Sequence, residues 1–491
     1  APDDIKQAAA PFGYFQATTK SHVKKLNNTW QVQFSIALGR AVKLRHINID
    51  IRGQGKNTKP FLSYLKRQRE NLKIGSNFNS TNYSNAKSGL YNIAAEYGYF
   101  DAKITSSKAL IDLNNHSAKI YIKFYTGERF KFGKTTFSPS YLEPSFLHRY
   151  LSYKPGQGFR NTTLQSDQEQ LNNSKYFNLA TVNADFSKAK NHIVPINIHL
   201  IDANRFKYIL GGGYGTDTGF RAIVGADVRM VNRYGHNFSA QTEVSKNTNF
   251  VNFRYKIPGN KPGIESYTIH TLAGKEDYSS SIGTANLIET GLSYSRIIDS
   301  WTQILDLSAL VENYKLKNYP SSKTSTVLPS VTWKKRVAKP KLLAKNGYSL
   351  SAEIAGAPLS IDGYSRFLQP RASFKTLTTI GHDSRLILRG NLILTFIKHL
   401  TELPLSLRPM AGGSQSIRGF SFNSLYNGKD LLVGSIEWQQ RLYKSLYVEA
   451  FYDIGTVSDG LDGTYYQGTG PGLVWVTKIG DFSFTYAKAI N

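Results

Sequence analysis

From Phe206 onward the sequence keeps a period of two, and that constrains the fold more than any other feature of the chain. Stretches of roughly ten residues alternate apolar and polar side chains, with Gly, Asn, Asp and Pro clusters between them, as half-buried strands do. Fifteen such stretches begin near residues 206, 219, 236, 248, 264, 284, 301, 325, 346, 366, 384, 430, 446, 466 and 480. Leu386, Leu388, Leu392 and Leu394 face one way, and Arg385, Arg389 and Asn391 the other. Likewise Leu446, Val448, Ala450 and Tyr452 oppose Tyr447, Glu449, Phe451 and Asp453, while Glu437 opposes Trp438. No apolar run approaches the roughly 18 residues of a membrane-spanning helix. An antiparallel transmembrane barrel, with lipid outside and water inside, produces such a pattern at modest average hydropathy. Aromatic residues at 13%, with 30 Tyr against 27 Phe, suit the girdles of such a barrel.

The first 205 residues read differently. Gly13-Tyr14-Phe15, Gly98-Tyr99-Phe100 and Lys175-Tyr176-Phe177 recur along the chain, each after a helical stretch and each before strands. Tyr83, Lys87, Leu90, Tyr91 and Ala94 carry helical spacing ahead of the second copy, and Leu164, Asp167, Gln168 and Leu171 ahead of the third. Gly39-Arg40-Ala41-Val42-Lys43-Leu44 and Gly127-Glu128-Arg129-Phe130-Lys131-Phe132 each lead into another strand. The unit is β-α-α-β-β, an α+β module with a small core. Residues 42–124 and 125–205 are expected to be complete copies and 1–41 the end of a third, with the barrel over 206–491.

Charge and chemistry narrow the function. Lys and Arg total 61 against 34 Asp and Glu, a net charge of +27. The excess is +16 over residues 1–205 and +11 beyond, so it is spread out and forms no nucleic-acid stripe. Anionic lipid headgroups or lipopolysaccharide are the expected counterpart, with no nucleic acid. Without cysteine the chain has no disulfide, thiolate metal site or cysteine nucleophile. It carries no HExxH, GxSxG or GxxxxGK[ST] pattern, and its histidines are scattered, so no enzyme, metal site or cofactor is expected. Asp217 reads as a turn residue. Ala1-Pro2-Asp3-Asp4 lacks a signal-peptide pattern, and the expectation is that a leader has been removed. An odd strand count ending at Phe482-Ser483-Phe484-Thr485-Tyr486-Ala487 suggests one closing strand missing, of sixteen, and a chain trimmed at both ends.

Two late motifs carry a resemblance. Gly412-Gly413-Ser414-Gln415-Ser416-Ile417-Arg418-Gly419-Phe420 is followed by Glu437 and then by Phe451-Tyr452-Asp453-Ile454-Gly455. Together with the repeats, which resemble POTRA modules, they resemble the BamA/TamA superfamily of POTRA-plus-barrel proteins. The resemblance implies a sixteen-stranded outer-membrane barrel with the modules in the periplasm. It makes Ile417, Arg418, Gly419 and Phe420 a loop-six latch folded into the lumen, with Glu437 and Asp453 as its acidic partners. It also implies a lateral seam at the first strand, where Phe206, Lys207, Tyr208, Gly211, Gly212 and Gly213 lie, glycine being a weak ladder residue. Gly213-Tyr214-Gly215-Thr216-Asp217-Thr218-Gly219, Lys256-Ile257-Pro258 and the three-module arm look most like the translocation-and-assembly branch. That branch implies assembly or translocation of unfolded outer-membrane proteins, autotransporters among them, beside an inner-membrane-anchored partner of the TamB kind. A two-partner secretion transporter, a BamA-type insertase and, more remotely, a passive porin are the alternatives.

Overall fold

The computed structural model describes residues 2–26, 29–216, 219–279, 282–338, 345–358, 366–477 and 480–490. Asp217 and Thr218 of the glycine-rich hairpin, and Asn491, lie outside the described residues. Two compact units emerge, one of Ala1–Ser140 with Leu151–Asp202, the other of Tyr141–Tyr150 with Ala203–Asn491.

In the first unit, helix α1 (Pro2–Ala9) precedes a hairpin of β1 (Thr18–Leu26) and β2 (Thr29–Ala37). Next come β3 (Lys43–Arg52), α2 (Lys59–Asn71), α3 (Ser80–Glu96), β4 (Lys103–Asp112) and β5 (Ser117–Tyr125). Their sheet runs β3-β5-β4, with β3 parallel to β5 and β4 antiparallel to it. Asn79 starts α3 because its side-chain oxygen accepts from the Thr81 and Asn82 amides. Alternate β5 residues Ala118, Ile120, Ile122 and Phe124 are buried under Phe61 of α2 and Leu90 of α3. Gly98 ends the α3 turn at φ 79°, which lets Tyr99 pack edge-on against Phe61 at 5.6 Å. Phe100 points the other way, against Phe130, Phe159 and Phe186. The repeated aromatic pair therefore joins two cores.

The next sheet is β6 (Lys131–Phe137), β8 (Ile193–Asp202) and β7 (Phe177–Ala184) in the order β6-β8-β7, covered by α5 (Asn161–Asn173). The order is again β-α-α-β-β, with the first helix reduced to a single turn, α4 (Pro144–Leu147), within Tyr141–Tyr150. Pro144 starts that turn, and its Phe146, Leu147 and Tyr150 are buried. Those ten residues belong to the barrel unit. Phe146 fills the space beside Gly235, Glu143 pairs with Arg233 at 2.9 Å, and Arg149 donates to the Pro258 carbonyl at 2.9 Å.

The barrel strands are β9 (Phe206–Gly215), β10 (Gly219–Val228), β11 (Asn237–Ser245), β12 (Thr248–Pro258), β13 (Glu265–Ser279), β14 (Gly283–Ile298), β15 (Trp301–Leu316) and β16 (Ser321–Ala338). They continue with β17 (Gly347–Ala357), β18 (Phe367–Ile380), β19 (Ser384–Ile393), β20 (Asp430–Tyr443), β21 (Leu446–Ser458), β22 (Tyr466–Val476), β23 (Asp481–Thr485) and β24 (Lys488–Ala489). From β9 to β23 each pairs antiparallel with its chain neighbour, and β24 pairs with β22 beyond β23, which makes a sheet of 16 strands. The fifteen alternating stretches correspond to β9 through β23.

β24 continues β23 in the same register along β22, since Gly472 faces Thr485 and Thr469 faces Lys488. The break falls opposite Pro471. Tyr486 donates to its carbonyl at 3.0 Å, but proline has no N–H to return the bond. Strand length varies round the wall, with 5 residues in β23, 9 in β11 and 18 in β16, against the ~9–11 that cross a bilayer. No helix among the described residues is long and apolar enough to cross a membrane.

Candidate functional site: an arginine held by three acids

The 36-residue connection between β19 and β20 turns back into the barrel, and its C-terminal half carries Arg418 to the β20–β21 wall. Alternation in β20 turns Ser435, Glu437 and Gln439 inward, and in β21 it does the same for Tyr447, Glu449, Phe451 and Asp453. The register sets Ser435 opposite Asp453, Glu437 opposite Phe451, and Gln439 opposite Glu449. Two neighbouring strands thus present three carboxylates in one patch.

Arg418 enters that patch fork first. Its Nε lies 2.7 Å from Asp453 Oδ2 and its Nη2 2.7 Å from Asp453 Oδ1, a bidentate pair. The Arg418 backbone N–H also donates to Asp453 Oδ2 at 3.0 Å. Nη2 lies 3.0 Å from Glu437 Oε1 and 3.1 Å from Ser435 Oγ, and Nη1 lies 3.4 Å from Glu449 Oε1. The Phe451 ring sits under the guanidinium, 3.5 Å from Cζ. Asp453 is wholly inaccessible to solvent, and Arg418, Glu437 and Glu449 are each under 9% exposed. A planar five-donor cation suits this cluster in a way that a lysine ammonium would not.

The neighbouring residues fix the motif. Ile417 is buried with Ala411, Leu431, Val433 and Val457, and Phe420 packs edge-on against Tyr466 at 5.4 Å. Gly419 has φ 97°, and a Cβ there would come within 2.7 Å of the Ala489 amide. Gly468 of β22 faces the Arg418 carbonyl so closely that no side chain fits between them. The loop therefore lies against both β22 and β24.

Sequence reasoning missed part of this site. Alternation puts Glu449 on the lumen face but does not tie it to Arg418. The same alternation puts Arg389 of β19 on the lumen face. Its Nη2 meets Glu437 at 2.8 Å, so Glu437 serves two arginines. Gln439 donates to Glu449 at 2.7 Å and completes the patch.

The expected seam residues lie on β9 and are not among the contacts of the arginine cluster. Phe206, Lys207 and Tyr208 are exposed, and Gly211, Gly212 and Gly213 pair with Ile223, Ala222 and Arg221 of β10. Among the described residues, β9 makes no ladder on its other edge.

These features define a class: an outer-membrane-type barrel with an inward loop latched by arginine, preceded by α+β modules. Residues 215–491 match the Omp85 superfamily domain. The chain belongs to the Omp85 superfamily. Among solved structures it is similar to BamA from Haemophilus ducreyi lacking POTRA domains 1–3, at 16% identity and TM-score 0.70, covering 91% of this chain and 96% of that one. It is also similar to CdiB from Acinetobacter baumannii, at 15% identity and TM-score 0.56, covering 92% of this chain and 86% of that one. For CdiB from Escherichia coli the identity is 12% and the TM-score 0.53, covering 100% and 95%. At such identities the likeness establishes the fold. Members of this superfamily insert or secrete outer-membrane proteins.

Proposed function

We propose that this chain assembles or translocates outer-membrane proteins through a lateral seam at β9, in the manner of TamA, the outer-membrane subunit of the translocation and assembly module. The observation that carries this reading is the edge of β9. Its row of backbone N–H and C=O groups has no ladder among the described residues, and an unpaired edge recruits an incoming strand. The opposite edge of the sheet is weak as well, because Pro471 interrupts its last pairing. Gly211, Gly212 and Gly213 put no side chain on the middle of β9, so β9 contributes little cross-strand packing that a newcomer would have to displace. Arg418, with Ile417, Gly419 and Phe420, acts as the latch on Glu437 and Asp453 that holds the inner loop while the seam works. The modules over 42–124 and 125–205, with the partial one over 1–41, receive a TamB-like inner-membrane-anchored partner.

Photo-cross-linking amino acids at Lys207, Tyr208 and Leu210 test this in living envelopes. Adducts with many nascent outer-membrane proteins, and with a large inner-membrane-anchored partner from probes at Ile47 or Thr136, are expected. Adducts with one secreted passenger alone would favour a two-partner transporter, and the absence of protein adducts a passive porin.

A further inference from the structure

The arginine cluster holds only the C-terminal half of the β19–β20 loop, and the N-terminal half is held elsewhere. Leu403, at 0% exposure, packs with Leu287, Leu310, Leu328, Ala357 and Phe367 on the β14–β18 wall. Leu405 inserts among Tyr278, Ile282, Ala285 and Tyr314. Between these two insertions sits Glu312 of β15, also at 0% exposure. Its carboxylate accepts the Leu405 amide at 2.8 Å and the Ser406 amide at 3.2 Å, together with the Ser406 hydroxyl. Gln369 of β18 adds a bond to the Leu407 carbonyl at 3.0 Å and another to Thr395 Oγ1 at 2.7 Å. Arg408 lies over Tyr314 and donates to the Leu403 and Thr401 carbonyls, closing the turn that presents these amides.

We infer that Glu312 is a second tether, so that the loop is a strut fixed to two walls of the barrel and clears the lumen only when both ends let go. β15 and β21 stand six strands apart in the sheet, roughly 29 Å round the wall at about 4.8 Å per strand. The segment from Ser406 to Arg418 reaches at most about 40 Å, enough to cross between them. Buried apolar clusters at both ends make the crossing a packed partition. Each end has its own ionic anchor, and none of the contacts described above joins Glu312 to the arginine cluster. Releasing Arg418 alone therefore frees one half of the loop and leaves the other in place. This builds on the latch reading, and separate reporters for the two halves distinguish a failure of one tether from a failure of the other.

The chain has no cysteine, so single cysteines report cleanly. Leu403→Cys and Ala411→Cys, both buried, monitor the two halves by maleimide labelling of the full chain refolded in liposomes, beside single-channel conductance. Arg418→Ala should raise labelling at 411 about tenfold and leave 403 unchanged, and Glu312→Gln should do the reverse. Only the double variant should free both positions and conduct ions persistently. Should Glu312→Gln not fold, Ser406→Ala removes the hydroxyl donor from the loop side and should raise labelling at 403 alone. A single substitution that frees both reporters, a Glu312→Gln protein with both still protected, or a closed double variant would overturn the inference. If Arg418→Ala changed nothing while Glu312→Gln freed 403, the latch would fail and the Glu312 tether would stand.

Discussion

Charge counting at the arginine cluster makes an asymmetric prediction. Five groups are joined by the contacts described, Arg389 and Arg418 against Glu437, Glu449 and Asp453, so the cluster carries one excess negative charge. Asp453→Asn keeps the shape, removes the excess, and leaves two cations with two acids. Its cost is the weakening of charge-assisted bonds at one acceptor, about 1.5–3 kcal/mol. Arg418→Ala instead leaves three buried carboxylates facing the single Arg389, which is the uncompensated case, at about 3–5 kcal/mol. Urea titration of the refolded barrel, followed by tryptophan emission, gives both values from midpoint and slope. The arginine variant should be less stable than the asparagine variant by about 2 kcal/mol, the difference between the midpoints of these costs. If Asp453→Asn costs as much as Arg418→Ala, or if both fall under about 0.5 kcal/mol, the cluster is solvated and the reasoning fails.

Three further outcomes follow from other parts of the chain. Asp167 of α5 is buried, and desolvation raises its pKa above the usual carboxylate range despite the Ser152 amide and hydroxyl that donate to it. A raised folded pKa means that its contribution to stability is full below the unfolded value near ~4 and is lost as pH rises through the folded value. Asp167→Asn should flatten that slope in pH-dependent unfolding of the module, and an unchanged slope would refute the assignment. Phe61, fully buried against Tyr99 and Phe124, should cost about 3–5 kcal/mol on truncation to Ala, read as lost amide-exchange protection across β3, β4 and β5. Gly468→Ala should force the Arg418 loop off β22 and lower the thermal stability of the barrel, whereas Gly213→Ala, with open space at its Cβ, should leave it unchanged.

What the sequence made legible depended on whether side chains or backbone carry the signal. Inward Glu437 and Asp453, and outward Trp438, follow from alternation alone, because a strand has only two faces. The motif brings Arg418 to attention, and the structure sets Glu437 and Asp453 within 3.0 Å of its guanidinium. Glu449 was visible as an inward residue, yet its bond to Arg418 depends on how far a loop reaches, which no local period encodes. Glu312 left no trace at all, since two of its donors are the amides of Leu405 and Ser406, and an amide has no residue identity. The short α4 turn was hidden for a related reason. Buried Phe146, Leu147 and Tyr150 look like the face of a longer helix until their packing in the barrel unit is seen.

The proposed function requires that the chain itself promote strand insertion into a bilayer. The direct measurement is the folding rate of a urea-unfolded outer-membrane barrel protein into liposomes of outer-membrane lipid, with and without the reconstituted full chain. Faster folding with the chain present, abolished when Leu210→Pro removes an amide from the open edge of β9, is the predicted result. An unchanged folding rate in liposomes that demonstrably contain the folded chain would contradict the account.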